Sequence, residues 1–133
     1  MSNRIDDLRT PTKRARGLGS AKDGVHHFIW QRVTAVTIGL CALWLLGVLL
    51  TLRSADYSII HGLVADPINA SVLVLFLIAM FWHARLGVQV VIEDYVHGKH
   101  AKIALLLVSS FIHVLIAATA VLAVLRIAMR SVG

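Results

Sequence analysis

Hydrophobic and polar positions in this chain fall into long blocks, where a soluble fold would space them periodically. Apolar stretches run from about Phe28 to Leu52, about Ile68 to Ile92 and about Lys102 to Leu125, with short polar segments between them. Each reaches or exceeds the ~20 residues that a helix needs to cross a ~30 Å hydrocarbon layer. The pattern predicts an all-α integral membrane protein with three transmembrane helices. Residues 1–24 are polar, contain Pro11, Gly17 and Gly19, and are expected to form an irregular arm; residues 25–133 form one transmembrane domain. Residues 53–67 read as a short polar connection, marked by Arg53, Ser54, Asp56, His61, Gly62, Asp66 and Pro67. A second polar turn, Tyr95–His100, follows Glu93 and Asp94.

Composition agrees with this pattern: 58% of the 133 residues are hydrophobic and 15% are charged, too little polar surface for a soluble domain of this size. The formal charge of +6 is unevenly distributed. Arg4, Arg9, Lys13, Arg14, Arg16 and Lys22 all precede the first apolar stretch, and Lys99 and Lys102 lie in the turn after the second. Basic residues mark the cytoplasmic side, so the N-terminus is expected inside and the C-terminus in the periplasm. A basic arm beside a bilayer also contacts lipid, and no aromatic–basic motif points to nucleic acid. Trp30 is placed to anchor the first span at the interface. No secretory signal is visible, and Asp6, Asp7 and Asp23 are out of keeping with an organelle-targeting peptide, so a bacterial inner membrane is expected. Cys41, the one cysteine, lies within an apolar stretch and reads as a small buried residue.

Function in such a chain is read from polar groups that lipid should exclude. His83 stands about ten residues from the cytoplasmic end of the second span, ~16 Å deep at ~1.5 Å per residue. A histidine there is either a hydrogen-bonded interhelical residue or a ligand, with neutral imidazole a usual axial donor to haem iron. Gly87 lies ~40° round the helix from His83 and Asp94 ~20°, so the three share a face. Tyr95 is a further ~100° round, at the water interface. His113, at matching depth in the third span, makes a bis-histidine site within the chain geometrically possible. Arg85 lies ~200° from His83 and cannot share its face. Its deep charge calls for a partner subunit, an anionic cofactor group or a lipid head group. His26 and Arg32, near the cytoplasmic end of the first span, either anchor the membrane edge or hold carboxylates or a quinone.

The stretch from His83 to Gly98, His-Ala-Arg-Leu-Gly-Val-Gln-Val-Val-Ile-Glu-Asp-Tyr-Val-His-Gly, resembles the second transmembrane helix of succinate dehydrogenase D-type anchor subunits. Gly24-Val25-His26-His27-Phe28, followed by Arg32 and Thr34-Ala35, is similar to the start of that family's first helix. With the three-span layout the resemblance covers roughly residues 20–125. It implies a four-subunit respiratory complex II of the tricarboxylic acid cycle, in which a flavoprotein oxidises succinate, an iron–sulfur subunit carries electrons, and two small anchors reduce ubiquinone. By the same resemblance His83 matches the haem b ligand, whose trans partner belongs to the other, C-type anchor. Tyr95 matches the tyrosine that hydrogen-bonds ubiquinone, with Asp94 beside it. His26 and Arg32 match residues near the haem propionates and the quinone pocket. Arg85 departs from the family pattern, which has an aromatic or uncharged residue there, and His113 has no family role.

Two other readings remain open at the level of sequence: a self-contained b-type cytochrome using His83 and His113, and a small transport or accessory membrane protein in which Arg85 and His83 serve an ion path. No dinucleotide fingerprint or cysteine cluster is present, so the chain is expected to carry no flavin or iron–sulfur chemistry of its own. The orientation is testable with a periplasm-active reporter. Fusions at residue 60 and after Gly133 should be active, and fusions within 96–100 silent; activity within 96–100 overturns the N-in arrangement.

Overall fold

The computed structural model describes residues 21–52, 54 and 56–130, with side chains from Gly24 onward. Most of the basic arm, and Arg53 in the first connection, lie outside the described residues. Three long helices, α1 (Ala21–Leu50), α3 (Pro67–Tyr95) and α4 (Lys99–Arg130), correspond to the three apolar stretches. At 29 to 32 residues they are ~44–48 Å long, so their ends project beyond a ~30 Å hydrocarbon layer or the helices tilt. All three are long and apolar enough to cross a membrane. They begin before the apolar stretches: α1 already includes residues 21–24, assigned above to the arm, and α4 continues to Arg130.

A fourth helix, α2 (Tyr57–Ala65), occupies the connection that was expected to be irregular. The cause is local. Ile60, Leu63 and Val64 repeat at helical spacing and are at least half-buried, and α2 packs on α3 and α4. The turn into α3 is built by Asp66 and Pro67. The Asp66 carboxylate accepts from the backbone N–H groups of Ile68 (3.1 Å) and Asn69 (2.9 Å). Pro67, which has no N–H to satisfy, takes the first helical position. At the other end of α3, Lys102 reaches back from α4 and its Nζ donates to the Glu93 carbonyl (2.8 Å), which closes the turn between the two helices.

The helices stand in a row. α1 and α4 each pack on α3 and make no packing contact with each other. Small side chains set the spacing: the buried positions include Cys41, Ala65, Ala70 and Ala79, with Thr34, Leu86 and Val124. Without a hydrophobic drive between helices in lipid, small residues that admit close approach are the expected contacts. Cys41 is buried, as its surroundings in the sequence implied. Trp44 Nε1 donates to Asn69 Oδ1 (3.1 Å) and ties the last turns of α1 to the first turn of α3. Trp30, expected as a simple interfacial anchor, packs its ring against Trp82 of α3 (centroids 6.2 Å apart).

The Asp66 cap can be tested directly. Asp66→Ala should cost ~1 kcal/mol of unfolding free energy in a mixed-micelle SDS titration, and Asp66→Asn much less. Equal losses in the two variants would show that the side-chain cap is not what Asp66 contributes.

Candidate functional site

His83 sits midway along α3, and both ring nitrogens face α1. Nδ1 lies 2.9 Å from Thr34 Oγ1, and Nε2 lies 3.3 Å from Gln31 Nε2. Thr34 is buried, and its hydroxyl donates back to the Trp30 carbonyl (2.7 Å), with Gln31 O at 3.2 Å. The Gln31 amide oxygen is buried and has no hydrogen-bond partner among the described residues. Sequence reasoning picked out His83 and missed Thr34 and Gln31. A signal was present: His27, Gln31 and Thr34 recur at i, i+4 and i+7, a polar stripe along the α1 face that meets α3.

Gly87 lies one turn along the same side of α3. Nothing stands within 4 Å of the point a Cβ on Gly87 would occupy, so this chain leaves the strip beside His83 open. Asp94 and Tyr95 end the helix and are exposed, Tyr95 by 78%. Neither has a side-chain partner among the described residues.

Arg85 points to the other side of the row. Its Nε donates to Ser110 Oγ on α4 (2.9 Å), and its guanidinium lies over the Trp82 ring, 5.2 Å from the centroid. The deep charge is thus held by a hydroxyl and an indole face, with no carboxylate among its described partners. Arg85 and Trp82 form a shared wall between two cavities. One, of ≈ 310 Å³, lies between α3 and α4 and is otherwise apolar except for His113. The other, of ≈ 250 Å³, lies between α1 and α3 and includes His26, His27, Trp30 and Gln89. His27 Nε2 is buried without a partner among the described residues, and His26 Nε2 accepts the Trp30 indole N–H (3.0 Å).

The two intramembrane histidines therefore do not converge. His83 is turned to Thr34 and Gln31 of α1. His113 bonds through Nδ1 to the Ser109 carbonyl of its own helix (2.7 Å) and lines the cavity on the Arg85 side. A bis-histidine site within one chain would need both rings in one space, and α3 stands between them. His26 and Arg32, grouped by sequence, are also separated. Arg32 lies ~120° round α1 from His26, on the Gln31 flank, with its guanidinium 5.1 Å from the Phe28 ring centroid. Among the described residues, no group of three or more His, Cys, Asp or Glu side chains is arranged to hold a metal ion.

Comparison with known proteins agrees with this layout. Residues 6–125 match the family described as succinate dehydrogenase/fumarate reductase transmembrane subunit. The chain is 44% identical over 90 residues to the succinate dehydrogenase hydrophobic membrane anchor subunit of Rickettsia bellii, covering 68% of this chain and 72% of that one. It is 36% identical over 105 residues to the protein of the same description from Rickettsia conorii, covering 78% and 83%. With that of Paracoccus denitrificans it shares 31% identity over 97 residues, covering 73% and 75%.

Proposed function

Since this chain belongs to the succinate dehydrogenase/fumarate reductase transmembrane subunit family, we propose that it helps bind haem b and ubiquinone and passes electrons from succinate oxidation to the quinone. As a membrane anchor subunit of such a complex it works beside an iron–sulfur subunit and a flavoprotein. The second, C-type anchor and a place in the bacterial inner membrane belong to the proposal. The carrying observation is the setting of His83: a histidine deep in the membrane, bonded through both ring nitrogens to α1, beside an open strip at Gly87.

The residues present fit a haem held at His83. The ring is braced on one side, its Nε2 contact is a single long one to an amide, and the amide oxygen of that same Gln31 is left unpartnered. Haem b, when bound, supplies a one-electron redox centre within the membrane. A second protein ligand to that haem would come from the other anchor, because His113 faces away. Arg32, on the Gln31 flank of α1, is the cation we assign to the haem carboxylates. His26 lines the opposite cavity with His27, Arg85 and Gln89, and we place it with a quinone-type headgroup there and not with the propionates.

At the cytoplasmic end, Tyr95 and Asp94 are exposed on this chain and available to a ligand at the rim. A quinone oxygen gains negative charge on reduction, and the Tyr95 hydroxyl can donate a hydrogen bond to it. Asp94 alongside orients the phenol or passes protons from water, of which two are consumed per quinol.

His83→Ala should abolish low-spin b-type absorbance of the purified complex, and His113→Ala should preserve it. An unchanged spectrum in His83→Ala would falsify the ligand assignment, and equal loss in both variants would restore the in-chain bis-histidine reading.

Tyr95→Phe should leave the complex assembled and succinate oxidation by a soluble artificial acceptor intact. Quinone reduction should fall about tenfold if the lost bond is worth ~1.5 kcal/mol in the transition state. A normal rate of quinone reduction would reduce Tyr95 to an interfacial anchor.

A further inference from the structure

We infer that Thr34 is a positioning residue that fixes the tautomer of His83, placing the ring proton on Nδ1 and leaving the lone pair on Nε2 for the iron. This deepens the reading of His83 as a haem ligand and rests on it.

The number of protons on the two groups decides the tautomer. A threonine hydroxyl has one proton to donate and lone pairs to accept with. Thr34 Oγ1 stands 2.7 Å from the Trp30 carbonyl oxygen and 3.2 Å from that of Gln31. Carbonyl oxygens only accept, so two oxygens this close must have the hydroxyl proton between them. That proton is therefore committed to the α1 backbone. His83 Nδ1, at 2.9 Å from the same oxygen, then faces a lone pair and must be the donor. A neutral imidazole has a single N–H, so Nε2 is bare. The remaining neighbour is consistent: the Gln31 amide nitrogen, at 3.3 Å, is a donor and meets the Nε2 lone pair. The opposite tautomer would set lone pair against lone pair at Thr34 and N–H against N–H at Gln31.

The arrangement has a directional consequence. Nδ1 is tied to a buried hydroxyl that is itself anchored to the helix backbone, so that side of the ring is fixed. Nε2 is held only by the long contact to Gln31, whose amide oxygen has no partner. Displacement of that amide would leave the Thr34 bond intact and would free Nε2 to hold a haem. A hydrogen-bond acceptor on the non-ligating nitrogen raises the basicity of the ligating one. Thr34 should therefore favour the ferric state and lower the haem midpoint potential.

The test uses the purified complex with Thr34→Val, which keeps the shape of threonine and removes the acceptor, and Thr34→Ser, which restores it. Thr34→Val should keep the low-spin spectrum of wild type while its midpoint potential moves positive. A tenfold change in the balance of the two oxidation states corresponds to ~59 mV for a one-electron couple. The largest ferric g-value should move with it, and Thr34→Ser should return both to wild type. Low-spin haem with unchanged potential and g-values in Thr34→Val overturns the role of Thr34 while His83 remains the ligand. Retention of low-spin haem in His83→Ala instead overturns the ligand reading itself. Should Thr34→Val fail to assemble, 15N spectra of the histidine-labelled, haem-free wild-type chain in bilayers decide the matter. The expected signal is a protonated Nδ1 on His83, and a protonated Nε2 overturns the inference.

Discussion

Within the hydrocarbon layer no water is available to satisfy a polar group, so each one must be bonded inside the protein. That constraint accounts for most of the specific contacts in this chain. His83 meets Thr34 and Gln31, Arg85 meets Ser110, and Trp44 meets Asn69. Each pair joins two helices at a defined depth. Apolar side chains alone specify register poorly in lipid, because lipid tails are as apolar as leucine. The polar ties therefore set which turn of α1 faces which turn of α3, and which turn of α4 faces Arg85.

Packing alone would leave this chain loosely defined. The helices form a row with α3 in the centre, few side chains are buried, and large apolar residues are exposed on all three long helices. Such a layer suits a subunit whose remaining contacts are made with other subunits and with lipid. The open strip at Gly87 and the exposed pair Asp94 and Tyr95 are features of the same kind, surfaces that this chain presents without covering them.

Because α3 is central, it divides the polar chemistry between two sides. His83, with Gln31 of α1 against it, lies toward one broad face, while Arg85, His113, His26 and His27 line cavities on the other. A single helix can do this because residues two apart in sequence point ~200° apart. The spacing of His83 and Arg85 thus lets one segment carry a hydrogen-bonded imidazole on one face and line a cationic, partly apolar cavity on the other.

Three spans, the membrane class, the position of His83 midway along a span and its opposition to Arg85 were all legible in the sequence. They depend only on helix periodicity and on the length of an apolar stretch against a hydrocarbon layer. The same logic missed α2, because Asp56, His61, Gly62 and Asp66 mask the helical spacing of Ile60, Leu63 and Val64. It also grouped His26 with Arg32 by proximity along α1, although they lie ~120° apart round the helix. What a helix pattern cannot supply is which faces of different helices meet. That is decided by a few contacts between residues far apart in the chain. Thr34 and His83 are 49 positions apart and Arg85 and Ser110 are 25 apart. Only the packed structure brought Thr34 beside His83, turned His113 away from it, and gave Arg85 a hydroxyl on the neighbouring helix. Each outcome follows from rotation about a helix axis, which sequence leaves free until a polar group buried in lipid finds its partner.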